Sequence, residues 1–237
     1  MKRVPSIPGR TAPSRRRAAL AELTAEIVSC RACPRLVAWR EEVATKRRAA
    51  FADQQYWGRP VPGFGDPAAR VVVVGLAPAA HGGNRTGRIF TGDRSGDWLF
   101  AALWRAGFAN QPTSVSADDG LRLRDMYILS AVRCAPPANK PTPEERRRCA
   151  PYMRNELALL ADARVLVALG NFAYQALASD YGLRPRPRFG HGVEAHLPDG
   201  RQVICSYHPS QQNTFTGTLT EEMLDAVLAR AKELSGD

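Results

Sequence analysis

Short apolar runs and helically spaced apolar residues alternate along most of the chain. Runs of aliphatic and β-branched residues predict buried strands at residues 71–75, 126–132 and 165–169. Apolar residues at helical spacing predict the intervening helices. The predicted helices cover residues 18–27, 36–51, 95–106, 143–160, 172–178 and 219–234.

Local signals mark where several of these elements begin. Thr142 and Glu145 have the spacing of a capping box, with Pro143 at the first helical position. Ser95 is the predicted N-cap of the helix over 95–106. Residues 58–67 are rich in proline and glycine, which predicts a loop.

The order of these elements is typical of a three-layer α/β/α fold around a mostly parallel, four-stranded sheet. Residues 193–197 and 202–206 predict either a hairpin or a turn into the last parallel strand. Ligands of such sheets bind beyond the carboxyl ends of the strands. We therefore expect the site in the loops after Gly75, Val132 and Ser206.

Composition and charge narrow the class of protein. The 237 residues carry a formal net charge of +10, which suits a polyanionic partner such as DNA without proving one. The sequence has no apolar run long enough for a membrane span and no secretory signal, so we expect a cytoplasmic protein. Residues 1–17 read as a basic mobile tail, and residues 18–237 as one domain.

Five cysteines in such a chain favour a metal site or buried thiols over a disulfide framework. Cys30 and Cys33 form a C-x-x-C pair, and Cys134 and Cys149 are separated by a loop and part of a helix. This spacing is wider than in compact zinc ribbons, but alone it leaves zinc and iron–sulfur open. Cys205, within a predicted strand, reads as a small buried apolar residue.

Four segments carry a family resemblance. They are residues 75–79 (Gly-Leu-Ala-Pro-Ala), 87–93 (Gly-Arg-Ile-Phe-Thr-Gly-Asp), 135–145 (Ala-Pro-Pro-Ala-Asn-Lys-Pro-Thr-Pro-Glu-Glu) and 208–214 (His-Pro-Ser-Gln-Gln-Asn-Thr). In this order, with the cysteines between them, they resemble the uracil-DNA glycosylase superfamily and most closely its family 5. The resemblance runs from residue 30 to about 214 and implies a DNA-repair enzyme that flips a damaged base and hydrolyses its bond to the sugar.

The resemblance assigns roles to individual residues. It implies that Phe90 stacks on the flipped base and that His208 donates a hydrogen bond to the departing carbonyl. Asp93 is the candidate for positioning water or stabilising the sugar cation, since the first motif holds no acid; the alternative is an N-cap of the helix that starts near Ser95. The four-cysteine pattern implies a [4Fe-4S] cluster on Cys30, Cys33, Cys134 and Cys149.

Further residues are expected to shape the base pocket. The first motif and its following turn supply Gly75, Ala77, Ala79, Gly83 and Asn84. Several uracil-specific relatives place an asparagine where this chain has Ser130, and Asn139 is the candidate substitute. Without a fixed bidentate reader the site discriminates less sharply, so we expect uracil, hypoxanthine and other damaged bases as substrates.

DNA contacts are expected from the last motif, whose loop in the superfamily enters the minor groove. Here that loop presents Gln211, Gln212 and Asn213. Lys140 and the arginines of residues 146–148 either meet phosphates or form a solvated face. We expect a monomer. A non-catalytic iron–sulfur DNA-binding module and a zinc-stabilised, nucleotide-handling protein are the alternatives.

Overall fold

A six-stranded mixed sheet, in the order β1-β3-β2-β4-β6-β5, organises the computed structural model, which describes residues 13–236. Its strands are β1 (Phe64–Gly65), β2 (Val71–Gly75), β3 (Met126–Ser130), β4 (Val165–Leu169), β5 (Glu194–His196) and β6 (Gln202–Ser206). The four central strands, β3, β2, β4 and β6, are parallel to one another. The predicted four-stranded sheet is therefore its centre.

Two short antiparallel strands extend this centre to six. β1 pairs with β3 inside the segment expected to be a loop, and β5 pairs with β6. Both alternatives for the last segment hold, because β6 closes a hairpin with β5 while running parallel to β4.

Helices cover both faces of the sheet. They are α1 (Pro13–Ser29), α2 (Pro34–Lys46), α3 (Gly83–Thr86), α4 (Arg94–Arg105), α5 (Pro143–Leu159), α6 (Asn171–Asp180), α7 (Gln211–Phe215) and α8 (Glu221–Ser235). Successive side chains of a strand point to opposite faces. Accordingly Val72 and Val74 pack in one core with α1, α5 and α6, whereas Val71 and Val73 pack in the other with α4 and α8. The predicted three-layer α/β/α class is confirmed.

The boundary of the expected basic tail is wrong. Residues 13–17 belong to α1, and Arg16 is buried in an ion pair with Asp162. A charged side chain is rarely buried unless it is paired, so the burial of Arg16 beside Asp162 favours order over a solvated tail. The rest of the expected tail, residues 1–12, lies outside the described residues.

Helix caps follow the sequence in one case and depart from it in another. The Thr142–Glu145 capping box is present as predicted. At α4 the N-cap is Asp93, not Ser95, because the Asp93 carboxylate accepts from the backbone N–H of Gly96. Within residues 13–236, no helix is long and apolar enough to cross a membrane.

Candidate active site

The loops at the carboxyl edge of the sheet bring an aromatic ring and an imidazole together. The centroids of the Phe90 and His208 rings are 5.8 Å apart, and their planes are inclined by 33°. Phe90 follows α3, and His208 follows β6 by two residues. Two residues 118 positions apart in sequence therefore meet where the topology predicts a site.

Glycines make room for both rings. A Cβ on Gly75 would lie 2.8 Å from Cζ of Phe90, and one on Gly170 would lie 3.2 Å from Cβ of His208. A Cβ on Gly96 would run into the Phe90 carbonyl oxygen. Phe90 itself has a φ of 52°, a strained conformation for a bulky residue and one that recurs at functional sites.

His208 is neutral at physiological pH. Burial lowers the pKa of its imidazole to about 4. Neither ring nitrogen has a hydrogen-bond partner among the described residues, whereas the His208 carbonyl accepts from the Asn213 amide at 2.9 Å. The backbone is thus fixed while an imidazole N–H remains available to a ligand.

Asp93 lies beside the same loop. Burial raises the pKa of its carboxyl, and hydrogen bonds from the backbone N–H groups of Gly96 and Ser95 oppose that rise. Its Oδ2 atom lies against Gly82, where a Cβ could not fit. The carboxylate therefore caps α4 and faces the turn between β2 and Phe90.

The two candidate base readers differ in their surroundings. Ser130 is buried, and its hydroxyl donates to the Val132 carbonyl at 2.9 Å. Asn139 is exposed on a 3-10 turn, with a φ of 56° and no side-chain partner among the described residues. The structure gives no contact between Asn139 and the Phe90–His208 pair.

The other residues expected to shape the base pocket are packed against neighbouring segments. Gly83 packs against Pro78, and Asn84 is fully buried, its amide donating to the Arg40 carbonyl on α2 at 3.2 Å. The Ala79 carbonyl accepts from the backbone of Asn84. Ala77 packs towards the cluster of Leu36, Val132 and Cys134.

The last motif is a short helix, which corrects the expected open loop. Gln211 and Gln212 are exposed on α7, and Ser210 caps that helix. Asn213 is instead held inward by its bond to the His208 carbonyl. Only two of the three predicted amides are therefore presented to solvent.

The arginines of residues 146–148 are engaged in ion pairs. Arg147 and Arg148 bind Glu144 on the same helix, and Arg146 lies 3.5 Å from Asp180. The solvated-face interpretation fits these arginines. Lys140 is exposed and has no ion-pair partner among residues 13–236.

A cavity of about 20 Å³ is lined by Cys30, Cys33, Cys134 and Cys149, among other residues. Burial raises the pKa of the Cys134 thiol to about 11 and that of Cys149 to about 12. No group of three or more His, Cys, Asp or Glu side chains in the described chain is arranged to hold a metal ion. Cys205 is a buried core residue of β6, as predicted.

Two buried arginines flank the cysteine cavity. Arg40, 2% exposed, donates to Sγ of Cys134 at 2.9 Å and to the Cys30 carbonyl at 3.1 Å. The backbone N–H of Arg133 donates to Sγ of Cys149 at 3.3 Å. The Arg133 side chain pairs with Glu156, both 1% exposed. Positive charge and N–H donors therefore point at the sulfurs.

One residue of the site escaped the sequence analysis. Nδ1 of His191 accepts from the backbone N–H of Tyr207 at 3.3 Å, and Nε2 donates to the Met223 carbonyl at 3.2 Å. These bonds fix the residue that precedes His208. The available signal was a single histidine between two glycines, at residues 190–192.

The fold and the Phe90–His208 contact define an α/β protein with a candidate site at the carboxyl edge of its parallel strands. The profile of the Uracil DNA glycosylase superfamily matches residues 62–232. The chain is 58% identical to the Type-5 uracil-DNA glycosylase of Mycobacterium tuberculosis over 221 residues, covering 92% of this chain and 82% of that protein.

Two further relatives place the chain within the superfamily. The Type-5 uracil-DNA glycosylase of Thermus thermophilus is 56% identical over 89% of this chain and 95% of its own length. The Type-4 uracil-DNA glycosylase of Thermotoga maritima is 30% identical over 63% and 69%. The chain belongs to the uracil-DNA glycosylase superfamily and to its type-5 family, as its motifs predict.

Proposed function

We propose that this protein excises uracil from DNA by hydrolysing the N-glycosidic bond and leaves an abasic site. The contact of Phe90 with His208 at the carboxyl edge of the sheet is the observation that carries the proposal. Together with Asp93 it supplies a stacking ring, a hydrogen-bond donor and a carboxyl group within one set of loops. The relatives named above are glycosylases, so the non-catalytic alternative has no support.

The neutral imidazole of His208 fits the charge changes of this reaction. When the bond between C1′ and the base nitrogen breaks, negative charge develops on the base and positive charge on the sugar. The N–H of His208 would donate to the base carbonyl as that charge grows. An uncharged donor suffices, because burial keeps the imidazole pKa near 4.

Asp93 is assigned to the sugar side. Its carboxylate would orient the water whose oxygen bonds to C1′, and the water proton would leave to the carboxylate or solvent. The raised pKa of Asp93 makes it a better proton acceptor than an exposed aspartate. Neither the first nor the last motif holds a lysine, so no Schiff base and no strand cleavage are expected.

A broad substrate range accompanies this pocket. The Ser130 hydroxyl is committed to the Val132 carbonyl and reads no base edge with paired groups. A pocket without such a reader leaves fewer polar groups unpaired when another base enters. We therefore propose hypoxanthine as a second substrate, with Gln211 and Gln212 in the groove. One chain suffices, since all these residues lie on it.

We propose that Cys30, Cys33, Cys134 and Cys149 hold a [4Fe-4S] cluster. Fe–S clusters take four thiolates, and a buried thiolate cluster needs compensating positive charge. Arg40 is buried beside Cys134 and lies 3.9 Å from its one acidic neighbour, Glu41. Its Nε atom has no partner among the described residues. Such a cluster would serve as a structural tie between α1, α2 and the loop after β3.

A duplex oligonucleotide with a single uracil tests the activity. We expect wild-type protein to create a site that breaks in alkali and is intact without it, with a slower reaction on hypoxanthine and none on thymine. His208→Ala and Asp93→Ala should release uracil far more slowly than wild type. No abasic product would refute the proposal, and cleavage without alkali would refute the hydrolytic assignment.

A further inference from the structure

The segment around Asp93 and the segment after His208 meet twice. One meeting is the Phe90–His208 contact, in which Phe90 is 6% exposed. The other lies at the surface, where the Arg94 guanidinium stands 4.4 Å from the centroid of the Phe215 ring. The same two segments thus form the Phe90–His208 contact and a second, exposed contact.

Phe215 presents an open aromatic face. It ends α7, and 62% of its side chain is exposed, more than any other large apolar side chain of residues 13–236. Arg94 covers one face of the ring. An isolated exposed ring is ordinary. This ring, however, lies seven residues after His208 and contacts the Arg94 guanidinium.

Arg94 is free to bind an anion. It directly follows Asp93 at the start of α4, and its side chain is exposed. Asp97, one turn further along the helix, forms no ion pair with it, and no other described acid does. A guanidinium that has no acidic partner suits a DNA phosphate, because binding releases condensed counterions.

We infer that Phe215 and Arg94 form a DNA-gripping pair beside the pocket. The open face of Phe215 stacks on a base that flanks the extruded nucleotide, and Arg94 contacts a phosphate of the same strand. Stacking on a phenyl ring tolerates every base, as an enzyme that acts in any sequence requires. The inference rests on the proposed function and assigns a positioning role rather than chemistry.

Binding to a duplex that carries 2′-fluoro-2′-deoxyuridine, which resists hydrolysis, tests the pair by fluorescence anisotropy. We expect Phe215→Ala to weaken binding about 5- to 150-fold, the range that stacking of one base implies. Phe215→Trp should retain affinity, and Phe215→Leu should lose it. Arg94→Ala should reduce the slope of log affinity against log salt by about 1.

The matched controls are an exposed aromatic ring and an exposed arginine that lie elsewhere on the protein. Trp104 is a 51%-exposed ring about 15 Å along α4 from Arg94, and Arg122 is an exposed arginine four residues before the amino end of β3. Trp104→Ala and Arg122→Ala should leave affinity and salt slope unchanged. Because Phe215 is exposed, its variants should melt at the wild-type temperature.

The outcomes separate this inference from the proposed function. Uracil release by wild-type protein, together with a Phe215→Ala affinity within twofold of wild type, would overturn the gripping pair alone. Full binding by Phe215→Leu would overturn the stacking role, and an equal salt slope for Arg94→Ala and Arg122→Ala would overturn the phosphate contact. Failure of wild-type protein to release uracil would refute the function itself.

Discussion

Phe90 rests on Gly75, the last residue of β2. A Cβ at residue 75 would come within 2.8 Å of Cζ and 2.9 Å of Cε2 of the ring. The absence of a side chain at Gly75 therefore sets the depth at which the proposed stacking ring lies.

Gly75→Ala should destabilise the protein by about 1–3 kcal/mol, because the added methyl group overpacks the ring. In a Phe90→Ala background the same change should cost much less, which gives a coupling free energy above about 0.5 kcal/mol. Urea unfolding of the four proteins measures the cycle. Additive effects would mean that residues 75 and 90 do not press on each other.

His208→Ala should lower the single-turnover rate of uracil release by about 10²- to 10³-fold, as expected for the loss of one donor to a developing oxyanion. Affinity for the uncleavable duplex should change far less. His196→Ala, an exposed histidine on β5, is the control and should react at the wild-type rate. An active His208→Ala enzyme would remove the imidazole from the mechanism.

The depressed pKa of His208 predicts a pH-dependent stability. The folded protein holds this histidine neutral down to about pH 4, whereas the unfolded chain protonates near 6.5. Stability from the neutral imidazole is therefore complete above pH 6.5 and is lost as pH falls towards 4. Wild type should lose stability relative to His208→Asn by at most about 1.4 kcal/mol per pH unit in that window. Parallel stability curves would contradict a buried neutral imidazole.

The sequence predicted the four central strands because they depend on local patterns. β2 and β4 follow from short aliphatic runs, and the start of α5 follows from the capping box at Thr142. Each signal involves only a few neighbouring residues, and each element is present in the structure. It also predicted that the loops bearing Phe90 and His208 meet, since parallel strands place their carboxyl ends at one edge.

Other features depended on partners distant in the chain. From the sequence, Arg16 belongs to a solvated tail, because its ion-pair partner Asp162 lies 146 residues away. From the sequence, Asn213 is an amide that contacts the DNA groove. In the structure its side chain instead donates to the His208 carbonyl. β1, only two residues long in a proline- and glycine-rich stretch, exists because β3 offers an edge.

Glu156→Gln should destabilise the protein by about 3–5 kcal/mol, since it leaves Arg133 charged and unpaired in the interior. Tyr127→Phe, which removes a neutral donor to the same carboxylate, should cost only about 1 kcal/mol. Urea denaturation compares the two variants. Equal losses would show that the ion pair adds nothing beyond an ordinary hydrogen bond.

If the proposed cluster is present, Arg40→Leu should reduce iron retention, because Sγ of Cys134 would lose the guanidinium that donates to it. Iron content and visible absorbance after anaerobic purification provide the measurement. Arg31→Leu, which removes an exposed arginine paired with Glu41, is the control and should retain iron. A colourless wild-type protein that contains zinc would refute the cluster.

The structure of the protein bound to a duplex with 2′-fluoro-2′-deoxyuridine tests the central claim most directly. The account predicts an extruded uracil stacked on Phe90, with a base carbonyl oxygen about 2.7–3.2 Å from a ring nitrogen of His208 and the sugar facing Asp93. A uracil that stays in the helix, or lies away from Phe90 and His208, would contradict it.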